Sequence, residues 1–393
     1  MPKPTPDTTL KRIAVVMSLH HSLPWHHEPY HGIRRYADEQ GWDCVVDPHM
    51  LGVEGRVDFS PYDGVVGRIT NDLATQLKPL GIPVVSLTVN TVWQDIPGVR
   101  PDPVALGRLT AEHFLAQGYR RVALVLLKQY ASLLDYEGGL AQVMAKAGFP
   151  PPKVLEIVDD FEHSRGTSAQ THGLMTDWLA GLDRPVGVLI QSVISSRYFA
   201  EIARELGLRV PDDVGIVSAS GAEVVMTSNS PTLSSVEEDF EKQGYQAASM
   251  LDDLMQGRPV SPLRRTVPPK RLVVRESSDV FLCEDPLVSE AMRTIAERAH
   301  TDLFVDELAE AIGSSRRTLE RRFEDVLGRS VHSEIRRLRA EHIKRLLEET
   351  DRSIGDIAIS CGFDSASHFA RFFKREIGQT PSGYRKLRAD RSS

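Results

Sequence analysis

The chain of 393 residues is 41% hydrophobic and 26% charged, values typical of folded globular proteins, and its length predicts two or three domains. No apolar run reaches the ~18 residues that span a bilayer, and residues 1–11 lack the apolar core of a signal peptide. We therefore expect a disordered lead-in at 1–11 and a cytoplasmic protein. Cys44, Cys283 and Cys361 lie far apart and fit neither a disulfide framework nor metal-ligand spacing.

The net charge of −7 is unevenly divided along the chain. From Pro286 onward the chain has 20 Lys and Arg residues against 18 Asp and Glu, so the acidic excess lies before that residue. Binding to nucleic acid depends on cations that cluster on one surface more than on the total charge. The acidic total therefore does not exclude a DNA-binding protein.

The first 275 residues alternate short β-branched runs with amphipathic segments. Such runs predict buried parallel strands, and the segments between them predict helices. The predicted strands lie at 12–17, 42–46, 63–67, 82–87, 121–127, 154–158, 186–191, 214–218 and 271–275, and the predicted helices at 30–40, 104–117, 133–148, 168–180, 195–206 and 240–255. This alternation predicts two linked α/β lobes with a ligand cleft between them.

A histidine-rich stretch, HHSLPWHHEPYH, follows the first predicted strand, and we interpret it as a loop that contains His20, His21, Trp25, His26 and His27. Its spacing matches no zinc template, so we expect neither a metal site nor a cofactor. The sequence also lacks a phosphate-binding glycine loop, a nucleophile motif and a paired-carboxylate site, so we do not expect an enzyme.

Four stretches of this region resemble the sensing domain of LacI/GalR-type repressors: VRPDPVALGRLTAEHFLAQGYRRVALV, LGLRVPDDVGIVS, SPTLSSVEEDFEKQGYQAASMLDDLMQGR and LVVRESSD. The resemblance implies the two-lobed fold of periplasmic sugar-binding proteins, and we assign the effector-sensing domain to 12–276. It also implies that a small molecule binds between the lobes.

Sugar sensors of this type usually bind their ligand through one arginine and two aspartates. The matched positions of this chain hold Tyr136, Val193 and Ser220, so the three charged sugar ligands are missing. A sugar, another small molecule and no ligand at all therefore remain open. Because ligands of α/β domains bind at the carboxyl ends of strands, we expect these residues to line the cleft: Trp25, Arg68, Tyr136, Gln191 and Ser220.

Residues 277–286 are polar and end in proline, which predicts a linker to a helical domain at 287–390. A helix predicted from Pro286 to Ala299 opens this part of the chain. The segments DELAEAIG and SRRTLERRF then predict a first helix-turn-helix. Leu319, Phe323 and Val326 have the i, i+4, i+7 spacing of a buried helix face, so the polar residues between them should face outward.

The stretch SIGDIAISCGFDSASHFARFFKREIGQTPSGYR predicts a second helix-turn-helix. The first helix ends at Cys361-Gly362, and Asp364 or Ser365 caps the next. That helix should bury Phe369, Phe372 and Phe373 and expose Ser367, His368, Arg371 and Lys374. Thr380-Pro381 should open a further helix. A long helix at 331–349 connects the two motifs, and we expect its basic run, Arg336, Arg337 and Arg339, to form a solvated face.

The second motif and SxxxLxRxF in the first resemble the double helix-turn-helix of AraC/XylS-family transcription regulators. The resemblance implies that the second helix of each motif enters the major groove of DNA. Arginine can bind guanine through two hydrogen bonds, and glutamate can accept one from cytosine. The expected DNA-binding residues are Arg317, Glu320, Arg321, Ser367, His368 and Arg371. The alternative is that these residues form ion pairs on solvated faces, and Glu320 with Arg316 fits that alternative.

The sequence thus predicts a multidomain protein, an α/β two-lobed periplasmic-binding-protein-like domain followed by an all-α double helix-turn-helix domain. We expect a homodimeric transcription regulator of a carbohydrate-type catabolic operon, which binds double-stranded promoter DNA and, if it is an activator, RNA polymerase. A solute-binding protein or an α/β enzyme with an accessory helical domain is the alternative.

Overall fold

The computed structural model describes residues 10–19, 23–46, 58–87, 95–128, 135–158, 169–228, 230–280, 285–298, 300–350 and 352–385. Predictions for 1–9, His20, His21, Cys283 and 386–390 lie outside these ranges. Two compact units make up the chain, unit one at Met1–Asp279 and unit two at Val280–Ser393. Within the described ranges, the helices are too short or too polar for a membrane span.

Lobe one of unit one is a parallel six-stranded sheet in the order β11-β5-β4-β3-β1-β2. Its strands are β1 (Arg12–Val16), β2 (Asp43–Val46), β3 (Gly64–Gly67), β4 (Val84–Ser86), β5 (Gly98–Pro101) and β11 (Arg264–Val267). Helices α1 (Pro24–Gln40) and α8 (Phe240–Met255) pack on one face, and α2 (Asn71–Leu77) packs on the other. Both faces of the sheet are covered, which explains why β1 and β3 are almost entirely apolar.

Helices α1 and α8 cross at a contact that only glycine allows. A Cβ on Gly32 would lie 1.8 Å from the carbonyl oxygen of Glu241, and a Cβ on Gly244 would lie 1.9 Å from that of Pro29. The two backbones therefore touch, and this contact holds α8 against the helix that begins lobe one.

Lobe two is a second six-stranded sheet, in the order β12-β10-β9-β8-β6-β7, and only the β10–β12 pair is antiparallel. Its strands are β6 (Val122–Leu127), β7 (Lys153–Ile157), β8 (Val186–Ile190), β9 (Val214–Ser218), β10 (Ser234–Glu237) and β12 (Arg271–Val273). Its helices are α3 (Pro103–Ala116), α4 (Tyr136–Lys146), α5 (Ala169–Ala180), α6 (Val193–Glu205) and α7 (Glu223–Thr227). The chain crosses between the lobes three times, after β5, β10 and β11.

The structure corrects several sequence predictions for unit one. Helix α1 begins at Pro24, so Trp25, His26 and His27 are helical and not part of a loop. Pro24 occupies the first helical position, where its missing N–H is not needed. Five short elements, α2, β5, α7, β10 and β11, were not predicted.

Ser277 and Ser278, at the start of the proposed linker, are fully buried in unit one. The Ser277 hydroxyl donates to the Ile216 carbonyl at 2.7 Å, and the Ser278 hydroxyl donates to the Ser234 hydroxyl at 2.8 Å. These bonds tie the last residues of unit one to strands β9 and β10.

Unit two is helical: α9 (Pro286–Glu297), α10 (Val305–Ala311), α11 (Arg316–Leu327), α12 (Val331–Glu349), α13 (Ile354–Ser360) and α14 (Ala366–Ile377). We call α10–α11 the first helix-turn-helix and α13–α14 the second, and each packs around its own apolar core. Phe369, Phe372 and Phe373 are buried as predicted. Residues 381–385 are helical, and the Thr380 hydroxyl accepts from the Gly383 N–H at 3.2 Å.

One prediction about the first core is wrong. Leu319 and Phe323 are fully buried, but Val326 is 41% exposed. Leu327, in the last position of α11, packs against the core instead. The buried stripe is narrow and follows i, i+4, i+8 (Leu319, Phe323 and Leu327), so Val326 at i+7 lies outside it.

Candidate DNA-binding surface and effector cleft

Both recognition helices, α11 and α14, begin in the same way. A glycine with positive φ, Gly313 at 64° or Gly362 at 72°, ends the preceding helix. A serine then caps the recognition helix: Ser315 accepts from the Thr318 N–H and Ser365 from the His368 N–H, each at 3.2 Å. The turn and cap therefore set the direction of each recognition helix relative to the helix before it.

On α11, Arg317, Glu320 and Arg321 are exposed, opposite the buried face. Arg316 donates to Glu320 at 2.9 Å and to Asp306 of α10 at 3.0 Å. Glu320 therefore takes part in the ion pair that the sequence offered as an alternative, whereas Arg317 and Arg321 extend beyond it.

On α14, Ser367, His368, Arg371 and Lys374 are exposed. The His368 ring lies edge-on against Phe363, with 5.5 Å between the ring centroids, so one side of the imidazole is packed on the protein. The two cations are three residues apart and lie on one face of the helix.

Most of the Lys and Arg side chains that the structure describes in unit two have a carboxylate partner. Ion pairs away from the recognition faces include Arg293–Glu290, Arg298–Glu307, Arg322–Asp285, Arg329–Glu334, Lys344–Glu341 and Arg375–Glu376. Among the described side chains of this unit, the cations that have neither an ion pair nor a hydrogen bond are Arg317, Arg321, Arg371 and Lys374. All four lie on α11 or α14. Lys374 was missing from the predicted set, and its spacing of i+3 from Arg371 was the signal for it.

The basic run of α12 is not the solvated face that the sequence predicts. Arg336 Nε donates to Glu376 at 3.0 Å, and Arg339 is only 7% exposed. Arg337 alone is exposed, and it pairs with Glu334 of the same helix at 3.0 Å. The long helix therefore directs its arginines mainly at protein.

In unit one, the predicted effector residues lie near the carboxyl ends of strands. Gln191 follows β8, and its side-chain oxygen accepts from the Leu127 N–H at 2.9 Å, which joins the ends of β8 and β6. Arg68 follows β3 and Ser220 follows β9, and both are half-buried. Trp25 is also half-buried, and it packs against the apolar core of lobe two although α1 belongs to lobe one. Trp25 thus connects the two lobes beside the cleft.

Tyr136 begins α4 and is 6% exposed. Burial raises the pKa of the Tyr136 hydroxyl, and the nearby Glu238 adds to the increase. Burial also raises the pKa of Glu238 to about 8, with a further contribution from Glu28, so Glu238 is mainly protonated at neutral pH. It lies where the chain crosses from β10 into α8.

Glu238 was not predicted because it stands in a run of three acids, which usually marks a solvated segment. Its neighbours have evident roles: Glu237 pairs with Arg271 at 2.8 Å, and Asp239 accepts from the Lys242 N–H at 3.1 Å as the cap of α8. Glu238 differs from these two neighbours in being buried by the fold, which the sequence pattern does not show. Within the described ranges, no three His, Cys, Asp or Glu side chains could together hold a metal ion.

Two family models match the chain, a periplasmic binding protein-like domain at 111–278 and a helix-turn-helix domain at 308–387. The xylose operon regulatory protein of Escherichia coli (strain K12) is 25% identical in an alignment of 395 positions, which covers 97% of this chain and 98% of that protein. The protein of the same name from Haemophilus influenzae is 25% identical over 90% of this chain and 93% of its own length. The similarity to these two proteins therefore extends over both domains of the chain, in the same order.

The chain is a helix-turn-helix transcription regulator. Its N-terminal part is a periplasmic binding protein-like domain. The solved structure of the xylose-binding transcription activator XylR has a TM-score of 0.68 and 24% identity to this regulator, and the match covers 97% of this chain and 99% of that one. The transcriptional regulator CelR in complex with cellobiose matches 68% of the regulator and 84% of its own chain, with a TM-score of 0.53 and 20% identity.

These matches confirm the predicted fold and favour neither of the alternative functions. The proteins that the regulator resembles over its length are transcription regulators and not enzymes. The regulator therefore binds DNA through its helix-turn-helix domain and senses a small molecule. Its surface supplies the chemistry for the first task, since free guanidinium and ammonium groups are the donors that guanine and phosphate accept.

Proposed function

We propose that this regulator controls a carbohydrate-type catabolic operon by binding promoter DNA through both recognition helices in response to a sugar-class effector. The observation that carries the DNA-binding part is the position of the unpaired cations. Most of the other described Lys and Arg side chains of unit two pair with a carboxylate, whereas the four described ones without a partner lie on the two helices that this motif presents to DNA. A surface selected only for solubility has no reason to leave cations unpaired at those positions.

Arg321 and Arg371 are the residues that we assign to base edges, and Arg317 and Lys374 to bases or phosphates beside them. A guanidinium that binds guanine through two hydrogen bonds contributes ~1–3 kcal/mol of discrimination. Ser367 and His368 lie in the first turn of α14, where the helix N-terminus favours contact with a phosphate. A contact between Glu320 and cytosine would require the Arg316–Glu320 pair to open.

For the effector, we infer a neutral polyhydroxylated molecule that binds between the lobes. The relatives named for xylose, and the CelR structure with cellobiose, support a sugar. Since Tyr136, Val193 and Ser220 replace the usual charged ligands, hydrogen bonds would come from neutral groups such as Gln191 and Ser220. Trp25 would supply an apolar surface for the sugar ring.

We further infer a cytoplasmic homodimer with a sensing domain at 12–276, a linker at 277–286 and a DNA-binding domain at 287–390. Effector binding would favour one arrangement of the lobes and so alter how the two DNA-binding domains of the dimer are spaced. Its effect is limited to the difference in its affinity for the two arrangements. An activator of this design would also contact RNA polymerase.

Gel retardation of a duplex selected from a random pool by the wild-type chain tests the DNA-binding assignment. The variant Arg321→Ala/Arg371→Ala should bind this duplex at least about tenfold more weakly, because it loses two base contacts. The control Arg293→Ala/Lys344→Ala removes the same charge from cations that pair with Glu290 and Glu341 of their own helices. It should bind within about twofold of wild type. Equal loss in both variants would mean that net charge, and not these two residues, determines binding.

A further inference from the structure

The loop that leads into the first helix-turn-helix contacts the turn of the second. The loop before α10, at Thr301 and Asp302, lies against Gly362 in the turn of the second motif. A Cβ on Gly362 would lie 3.7 Å from the Asp302 backbone nitrogen and 3.9 Å from the Thr301 Cα. This turn has a positive φ of 72°, which favours glycine for its backbone, whereas a Cβ would meet these atoms at ordinary van der Waals distance.

Arg339 of α12 lies in this contact and binds to both sides of it. One terminal nitrogen, Nη1, forms an ion pair with the Asp302 carboxylate, and the other, Nη2, donates to the Cys361 carbonyl at 2.8 Å. The guanidinium also lies over the Phe363 ring, 4.1 Å from its centroid. One buried side chain therefore joins the loop of the first motif to the turn of the second.

The chemistry of these contacts requires arginine. Cys361 ends α13, and a cation at the C-terminus of a helix is favoured by its unpaired carbonyls. The planar guanidinium can donate to two different acceptors and stack on an aromatic ring at the same time. Lysine, a single compact charge on a flexible stem, could not make all three contacts at once.

A second arginine of α12 fixes the other end of the recognition helix. Arg336 pairs with Glu376 in the last turn of α14, and Arg375 contacts the same carboxylate at 2.9 Å. Helix α14 is thus held by α12 through Glu376 near its end and through Phe363 before its start. By contrast, the Arg337–Glu334 pair joins two residues of α12, so Arg337→Lys is a control for the same exchange in the same helix.

We propose that Arg339 is a positioning residue that fixes the distance and angle between α11 and α14, and so restricts the regulator to one spacing between the two DNA segments that it recognises. This inference rests on the proposed DNA binding. Two binding elements on a rigid frame gain from each other only when the DNA presents both segments at the matching separation. If the two elements are held more loosely, the gain in DNA affinity is smaller, but it persists over a wider range of separations between the two DNA segments.

The test measures how strongly binding depends on spacing. The probe is the duplex that full-length wild-type protein selects from a random pool, remade with one or two base pairs inserted or removed between the recognised segments. The proteins are wild type, Arg339→Lys, Asp302→Asn and the control Arg337→Lys. We expect a change of two base pairs to weaken wild type and Arg337→Lys by about tenfold or more, but Arg339→Lys and Asp302→Asn by less than about threefold.

If Arg339→Lys does not fold, Asp302→Asn still tests the proposal. This substitution replaces the exposed Asp302 carboxylate by an amide of the same shape, while Arg339 keeps its hydrogen bond to the Cys361 carbonyl. Circular dichroism melting confirms that each protein is folded. If Arg339 had a purely structural role, its substitution would lower DNA affinity equally on every spacing, and that result would overturn the proposal. Variants that depend on the spacing as strongly as wild type would also overturn it. If wild type selects no sequence, the proposed DNA binding itself fails and this inference fails with it.

Discussion

The substitution Glu238→Gln tests the buried acid at the crossing between the lobes. The pKa of Glu238 is raised from an ordinary 4.5 to about 8, so the folded state keeps a proton that the unfolded state has already lost at neutral pH. Stability from this group is therefore full below pH 4.5, decreases as the pH rises towards 8 and is constant above that. Glutamine has a similar shape and no proton to lose, so the variant escapes this decrease.

The size of the effect follows from the shift. Since each pKa unit corresponds to ~1.4 kcal/mol, raising the pH from 5 to 7 should lower the unfolding free energy of wild type by about 2–3 kcal/mol relative to the variant. The pKa of Glu28 is raised as well, which contributes in the same direction in both proteins.

Urea unfolding followed by tryptophan fluorescence measures this difference in the full chain. The four tryptophans lie at positions 25, 42, 93 and 178, so the signal reports on unit one alone. The control Glu237→Gln changes the neighbouring acid, which pairs with Arg271 at the surface. Curves for wild type and Glu238→Gln that stay parallel from pH 5 to pH 7 would refute the reasoning, since they would show that Glu238 is ionised in the fold.

Two further predictions concern the two units separately. His113 contacts the Ser278 hydroxyl at 2.7 Å, and burial lowers its pKa from 6.5 to about 4, so unit one should lose stability as the pH falls from 6.5 to 4. His113→Gln should show a smaller loss in the same fluorescence assay, and an identical pH profile would contradict the assignment. In unit two, Phe323→Ala should cost about 3–5 kcal/mol, whereas Val326→Ala should cost less than about 1 kcal/mol. Circular dichroism melts would compare them, and similar losses would place Val326 in the core.

The elements that the sequence predicted well have strong local signals. Helix α14 has a serine cap, a glycine end and three phenylalanines at helical spacing, and each signal points to the same boundaries. The strands missed by the sequence are short and polar: β5 reads GVRP and β11 reads RRTV. They form because neighbouring strands offer hydrogen-bond partners, which a local pattern does not reveal.

The candidate site was predictable only where a helix face defines it. Spacing placed Arg317, Arg321 and Arg371 outward, but it could not show every carboxylate that pairs with a cation, because some lie on other helices, such as Asp306 for Arg316 and Glu376 for Arg336. Arg339 appeared to belong to a solvated basic run, yet Asp302 and Cys361 surround it in the fold. Glu238 likewise differs from its acidic neighbours only through burial.

The measurement that tests the central claim most directly is the affinity of the full chain for its selected duplex, with and without each member of a panel of pentoses, hexoses and disaccharides. Tryptophan fluorescence in parallel reports whether each sugar binds. We predict that at least one sugar binds saturably and changes the DNA dissociation constant by about fivefold or more. A sugar that binds to saturation while DNA affinity stays the same would contradict the coupling of the two domains, and a panel without any binding would contradict a sugar effector.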